Sequence, residues 1–265
     1  MRIRQLFMAA LAAGALWSAP APLLAQTPDA TYAAQAKSLW EQAEEAFKGG
    51  DYLEAVRLYN LVRTQFTYSS YVAMADLRIA DAYFEQEKFA TAVEQYRTFI
   101  KLHPNDAQTT YASWRIAFSF YRQMPDDWFF LPPSYERELA RARDAERELR
   151  IFLKRFPDSR FTKEATRYHL LTRRRLADHE LYVATFYMER GNSRAAAQRL
   201  TYLLQNYSGL GLDPNALFLL ARAYVELGDV ERALVALKDL IEVHPQHELS
   251  GKARGWLARH NLKLP

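Results

Sequence analysis

The chain has no cysteine among its 265 residues. That excludes disulfides, a thiolate nucleophile and cysteine-ligated zinc or iron–sulfur sites, and it leaves no thiol to carry a lipid. Glycine (9) and proline (11) are sparse for an all-β chain, which needs a turn about every ten residues. Beyond the amino terminus no uncharged apolar run approaches the ~18 residues of a membrane-crossing helix. Nucleotide-binding glycine motifs and a serine-hydrolase G-x-S-x-G are also missing. His244 and His247 lie three apart with Glu248 behind them, but this is not the metalloprotease HExxH, and His244 precedes Pro245. Neighbouring acids such as Asp126–Asp127 and Glu44–Glu45 read as solvated surface. No enzyme activity, metal or cofactor is therefore expected. With 49% hydrophobic and 25% charged residues, the composition is that of a globular protein large enough to bury a core.

Residues 1–25 read as a secretory signal peptide. Arg2 and Arg4 supply the positive start, and Leu6 to Trp17 an apolar stretch too short to span a bilayer. Removing these two positive charges from the net +4 leaves +2, which argues against nucleic acid as a partner. The protein is expected in the periplasm. Residues 26–35 are expected to be a flexible lead-in.

The rest of the chain is repetitive. Pairs of alanines recur: Ala43 and Ala55, Ala80 and Ala92, Ala117 and Ala145, Ala184 and Ala196, Ala221 and Ala233. Large residues keep step four places after the second alanine (Tyr59, Tyr96, Leu149, Leu200, Leu237) and again three beyond (Val62, Phe99, Phe152, Leu203, Leu240). Spacings of three and four lie on one helix face. Small alanines let two helices approach, and the large residues fill the remaining volume. Gly50, Gly191 and Gly228 fall between paired helices, where a left-handed cap suits glycine. Pro104, Pro157 and Pro245 close three of the units. The pattern predicts an all-α tetratricopeptide-repeat solenoid of five helical hairpins between Ala36 and Gln246, with a capping helix over Ser250–Leu262.

Two irregularities interrupt it. The third unit carries an apolar, proline-rich insertion at 124–135, which either folds back on the solenoid or meets a partner. Before the fourth unit, Thr162 to Glu189 contains no glycine or proline and predicts one long central helix. The chain thus divides into repeats 1–3 (36–160) and a second half (161–265) holding the long helix, repeats 4–5 and the cap. Arg173, Arg174 and Arg175 on that helix fan around its axis and are expected mainly to face solvent.

First helices of such repeats line the concave side. Inward positions fall at Trp40, Glu44 and Phe47, then Leu77, Asp81 and Phe84, then Tyr111, Trp114, Phe118 and Tyr121; unit 5 offers Asn215, Phe218 and Arg222. The aromatic run across units 1–3 is a candidate groove for an extended or hairpin peptide with aromatic side chains.

Further residues carry a family resemblance. Ala142, Arg143 and Ala145 precede Arg155-Phe156-Pro157-Asp158-Ser159-Arg160-Phe161 and Ala165; a second stretch runs Leu176-Ala177, Glu180, Val183-Ala184 and Phe186-Tyr187-Met188-Glu189-Arg190-Gly191. With the leader, five repeats, long helix and insertion, the chain resembles the BamD family, the tetratricopeptide component of outer-membrane β-barrel assembly, over essentially its mature length. The resemblance implies a non-enzymatic factor at the inner face of the outer membrane. It implies docking of the C-terminal repeats on a periplasmic (POTRA) domain of BamA, reception of unfolded outer-membrane proteins by the N-terminal repeats, and contacts with other Bam subunits. Arg199, eight residues after Gly191, matches the family arginine that pairs with an acid of BamA. Family members usually carry an acylated cysteine where Leu23-Leu24-Ala25 is followed by Gln26; membrane association without that anchor would rest on BamA or weak surface contacts. A periplasmic adaptor for cell-envelope or division machinery is the alternative that the same repeats allow.

Overall fold

A computed structural model describes residues 28–124 and 139–264. The signal peptide, Gln26 and nearly all of the insertion lie outside the described residues. Among those described there are eleven α-helices and no strand. They pair as antiparallel hairpins: α1 (Pro28–Lys48) with α2 (Tyr52–Gln65), α3 (Tyr71–Glu85) with α4 (Phe89–Leu102), and α5 (Thr109–Arg122) with α6 (Ala140–Arg155). The second half pairs α7 (Thr162–Glu189) with α8 (Ser193–Tyr207) and α9 (Asp213–Glu226) with α10 (Val230–Val243), and α11 (Glu248–Arg259) covers the end. The long helix has the bounds its sequence predicts, and its 28 residues span about 42 Å.

The core is a chain of clusters: in the first half they join one hairpin to the first helix of the next, and in the second half a single cluster runs from α7 to α11. Trp40, Ala43, Ala55, Tyr59 and Val62 pack with Ala75 and Ile79 of the following repeat; Ala80, Ala92, Tyr96 and Phe99 pack with Ala112 and Ile116. All ten paired alanines are at most 2% exposed, so the helices of each hairpin meet where no larger side chain would fit. The ten large residues in step with them are at most 3% exposed. Each contributes roughly 1.5–3 kcal/mol by leaving water.

Local signals set the hairpin turns. Gly50, Gly191 and Gly228 have φ of +81°, +71° and +78°. At each, the following residue donates its amide back five positions: Asp51 to Ala46, Asn192 to Tyr187 and Asp229 to Tyr224. The same residue then caps the second helix, its side chain accepting from the amide of Glu54, Ala195 or Arg232. Unit 2 makes the identical turn with Glu87 at φ +59°. At the far ends, His103, Phe156 and His244 each precede a proline and terminate α4, α6 and α10 in nearly one conformation (φ −125° to −131°, ψ 54° to 62°). Steric conflict with the proline ring disfavours the helical region there, and Phe66, before Thr67, ends α2 in a similar conformation without one (φ −121°, ψ 48°).

One expectation is corrected. The stretch 26–35 is not a flexible lead-in throughout, because α1 begins at Pro28. Tyr32 packs edge-on against Phe66 at 5.1 Å, and its hydroxyl accepts the Tyr68 amide at 3.3 Å. Tertiary docking orders a segment whose own sequence has only a weak helical stripe. The cap likewise begins at Glu248, two residues before the expected Ser250.

Candidate functional site

The concave side of the first half holds a cleft of about 430 Å³. Trp40, Leu77 and Tyr111 form apolar walls, Glu44, Arg78 and Asp81 the floor, and Met74 and Arg160 the rim. The floor is a charge network linking repeats. Glu44, on α1, receives the Tyr59 hydroxyl (2.6 Å) and two bonds from the Arg78 guanidinium on α3 (2.9 and 3.1 Å). Asp81, 3% exposed, accepts the Tyr96 hydroxyl at 2.6 Å, the Tyr111 hydroxyl at 2.9 Å and Arg78 at 3.3 Å. Arg115 donates to the Tyr96 oxygen at 3.0 Å and stacks its guanidinium 3.5 Å from the centre of the Phe84 ring. Burial, and next the Asp81 charge, push the Tyr96 and Tyr111 phenols well above the ordinary tyrosine value. Burial, and next the bond to Glu44, do the same to Tyr59.

The eight groove residues separate into three groups. Trp40, Leu77 and Tyr111 meet at the cleft. Phe84, Trp114, Phe118 and Tyr121 instead form a continuous ring stack (Phe84–Phe118 5.6 Å, Trp114–Phe118 5.3 Å, Phe118–Tyr121 6.2 Å). Tyr168 of α7 closes it, 4.4 Å from Tyr121 and 5.0 Å from Phe118. Phe47 stands apart, half-buried beneath the Arg78 guanidinium at 5.0 Å. Trp40, Leu77, Phe84 and Trp114 are all buried. Ring faces that an open groove would present are spent on packing one repeat, or α7, against the last. Arg78, Arg115 and Tyr168, absent from the sequence-based set, complete the arrangement. Their sequence signal is slight: an arginine one position beyond a predicted inward residue, and an aromatic on the far helix.

In the second half, Arg199 of α8 is exposed and reaches Glu180 of α7 at 3.2 Å. Glu180 is only 4% exposed, so this arginine also compensates a buried carboxylate. Phe218 and Arg222 line a smaller concave pocket of about 270 Å³ against Trp256 of the cap, while Asn215 is exposed outside it. The arginine run has structural roles that its sequence did not reveal. Arg173 donates to the Asn206 carbonyl, and Arg174 donates to Leu210 at 2.6 Å and pairs with Asp178 at 3.0 Å, which staples α7 to the α8–α9 turn. His247 Nδ1 caps α11 by accepting the Leu249 amide. No group of three or more potential metal ligands occurs among the described residues, and no described helix is long and apolar enough to cross a membrane.

Five stacked hairpins with a concave cleft and a capped end define a tetratricopeptide-repeat protein; a generic tetratricopeptide profile matches residues 218–264. The profile of the outer membrane lipoprotein family YfiO matches residues 32–240, and the chain belongs to that family. Relatives include the outer membrane protein assembly factor BamD of Neisseria meningitidis serogroup A, 29% identical over 74% of each chain. The BamD proteins of Vibrio cholerae (22% identical, 83% of this chain and 91% of the relative) and Caulobacter vibrioides (25%, 74% and 61%) are similar as well.

Proposed function

We propose that this protein is a non-enzymatic component of outer-membrane β-barrel assembly, acting at the periplasmic face of the outer membrane. Family membership over residues 32–240 carries the reading. The C-terminal repeats dock on a POTRA domain of BamA around Arg199. The forked, permanently charged guanidinium suits a partner carboxylate, and its exposure leaves donors available beyond the one used on Glu180. The N-terminal cleft receives segments of unfolded outer-membrane proteins. Its walls offer aromatic surface, and its charged floor offers polar partners to a peptide backbone.

Capture of the purified periplasmic domains of BamA tests the docking half. Arg199→Glu is expected to reduce capture at least tenfold, while Glu180→Gln, which controls for the internal ion pair, retains it. Absence of capture by the parent protein, or capture unchanged by Arg199→Glu, would overturn this assignment. A photo-crosslinker for client segments belongs at Met74, 48% exposed on the cleft rim, rather than at the buried Trp114.

A further inference from the structure

A second concavity meets the rim of the first cleft at Arg160, which lines both, and runs from there along α7; Arg199 does not line it. It is an open trough of about 950 Å³ between the first half of α7 and the turn at Gly209–Leu210. Leu170 and Leu171, adjacent in sequence, both line it with 47% of their surface exposed. Arg160, Lys163 and Arg167 lie along the same trough, and no carboxylate pairs with any of them among the described residues. Glu164 is the one acid lining it. Arg174 closes the end, held by Asp178 and the Leu210 carbonyl. That tether fixes the second wall, so the trough is a built feature of the junction between α7 and the fourth repeat.

We infer that this trough docks an extended acidic segment of a partner protein, with aliphatic or aromatic side chains between its acids. The charge argues for the acids: three cations without carboxylate partners against one glutamate. The exposed leucines argue for apolar side chains at intervals. Length follows from the helix. Residues 160 to 174 cover about 21 Å along the axis, which an extended chain crosses in about six residues. The inference does not depend on the assembly role proposed above.

Fluorescence anisotropy of the full-length protein with a labelled eight-residue peptide of alternating glutamate and leucine tests it. The expected result is saturable binding, weakened at least tenfold by Lys163→Glu with Arg167→Glu, and equally by Leu170→Ser with Leu171→Ser. All four positions are exposed, and circular dichroism checks that the variants remain helical. Peptides of alternating lysine and leucine, or of glutamate and serine, are expected to bind at least tenfold more weakly than the first. Equal binding by the charge-reversed variant, or equal binding of the lysine peptide, would overturn the proposal. So would sedimentation with phosphatidylglycerol vesicles that needs Lys163 and Arg167 while the glutamate–leucine peptide fails to bind.

Discussion

At Asp81 one buried carboxylate accepts hydrogen bonds from Tyr96 within its own repeat and Tyr111 of the next. Its truncation would take the acceptor from the fully buried Tyr96 phenol, from Tyr111 and from part of the Arg78 guanidinium. Asp81→Ala is expected to cost about 2–4 kcal/mol, read as a lower urea midpoint, with Asp81→Asn intermediate. A loss under 0.5 kcal/mol would mean that the network is not a joint between repeats. The raised phenols also set a pH dependence. Above the unfolded tyrosine value of about 10, the unfolded chain releases protons that folded Tyr96 and Tyr111 keep. The native state then binds more protons, so stability is full below that pH and declines as the pH climbs toward the folded values. Tyr96→Phe with Tyr111→Phe should flatten the fall of unfolding free energy between pH 10 and 11; an unchanged slope would contradict this.

At the scale of elements, the same hairpin turn is built from different residues. Three units place glycine in the left-handed position and the second uses Glu87. A side chain there costs about 1–2 kcal/mol, and the exposed ion pair with Arg122 at 3.0 Å recovers little of it. Glu87→Gly is therefore expected to raise stability by about 1 kcal/mol in thermal unfolding, against the usual direction for a glycine introduced next to a helix. The long helix shows what a local pattern leaves out. Its length was legible because nothing between Thr162 and Glu189 breaks a helix. Its long-range partners were not, since Arg173 reaches the Asn206 carbonyl and Arg174 the Leu210 carbonyl, each more than thirty residues away.

For the whole molecule, each cluster of the core touches only its neighbours in sequence, so stability should be distributed as in a one-dimensional array. Among the described residues, the terminal helices α1 and α11 have packed neighbours on one side only. Their amides should exchange hydrogen faster than those of α5 and α7, which are packed between repeats. Uniform protection along the chain would show that the molecule opens only as a single unit. The two candidate surfaces also sit in different halves, the cleft against α1, α3 and α5 and Arg199 on α8. One docking event can thus leave the other surface open, as the proposed division between BamA and client requires.

By itself the sequence determined the periodic part: five hairpins, their close-packed alanines, three of the four left-handed turns, the proline stops and the long helix. Those features depend on spacings of three and four residues and on backbone preferences, and both are local. Tertiary structure decided what the inward aromatics do. Whether Trp114 faces a peptide or another repeat depends on where Phe161 and Tyr168 arrive, and no periodicity within α5 contains that. It also decided that the cleft floor is a carboxylate–guanidinium network, because Glu44 and Arg78 lie 34 residues apart and meet only when the second repeat stacks on the first.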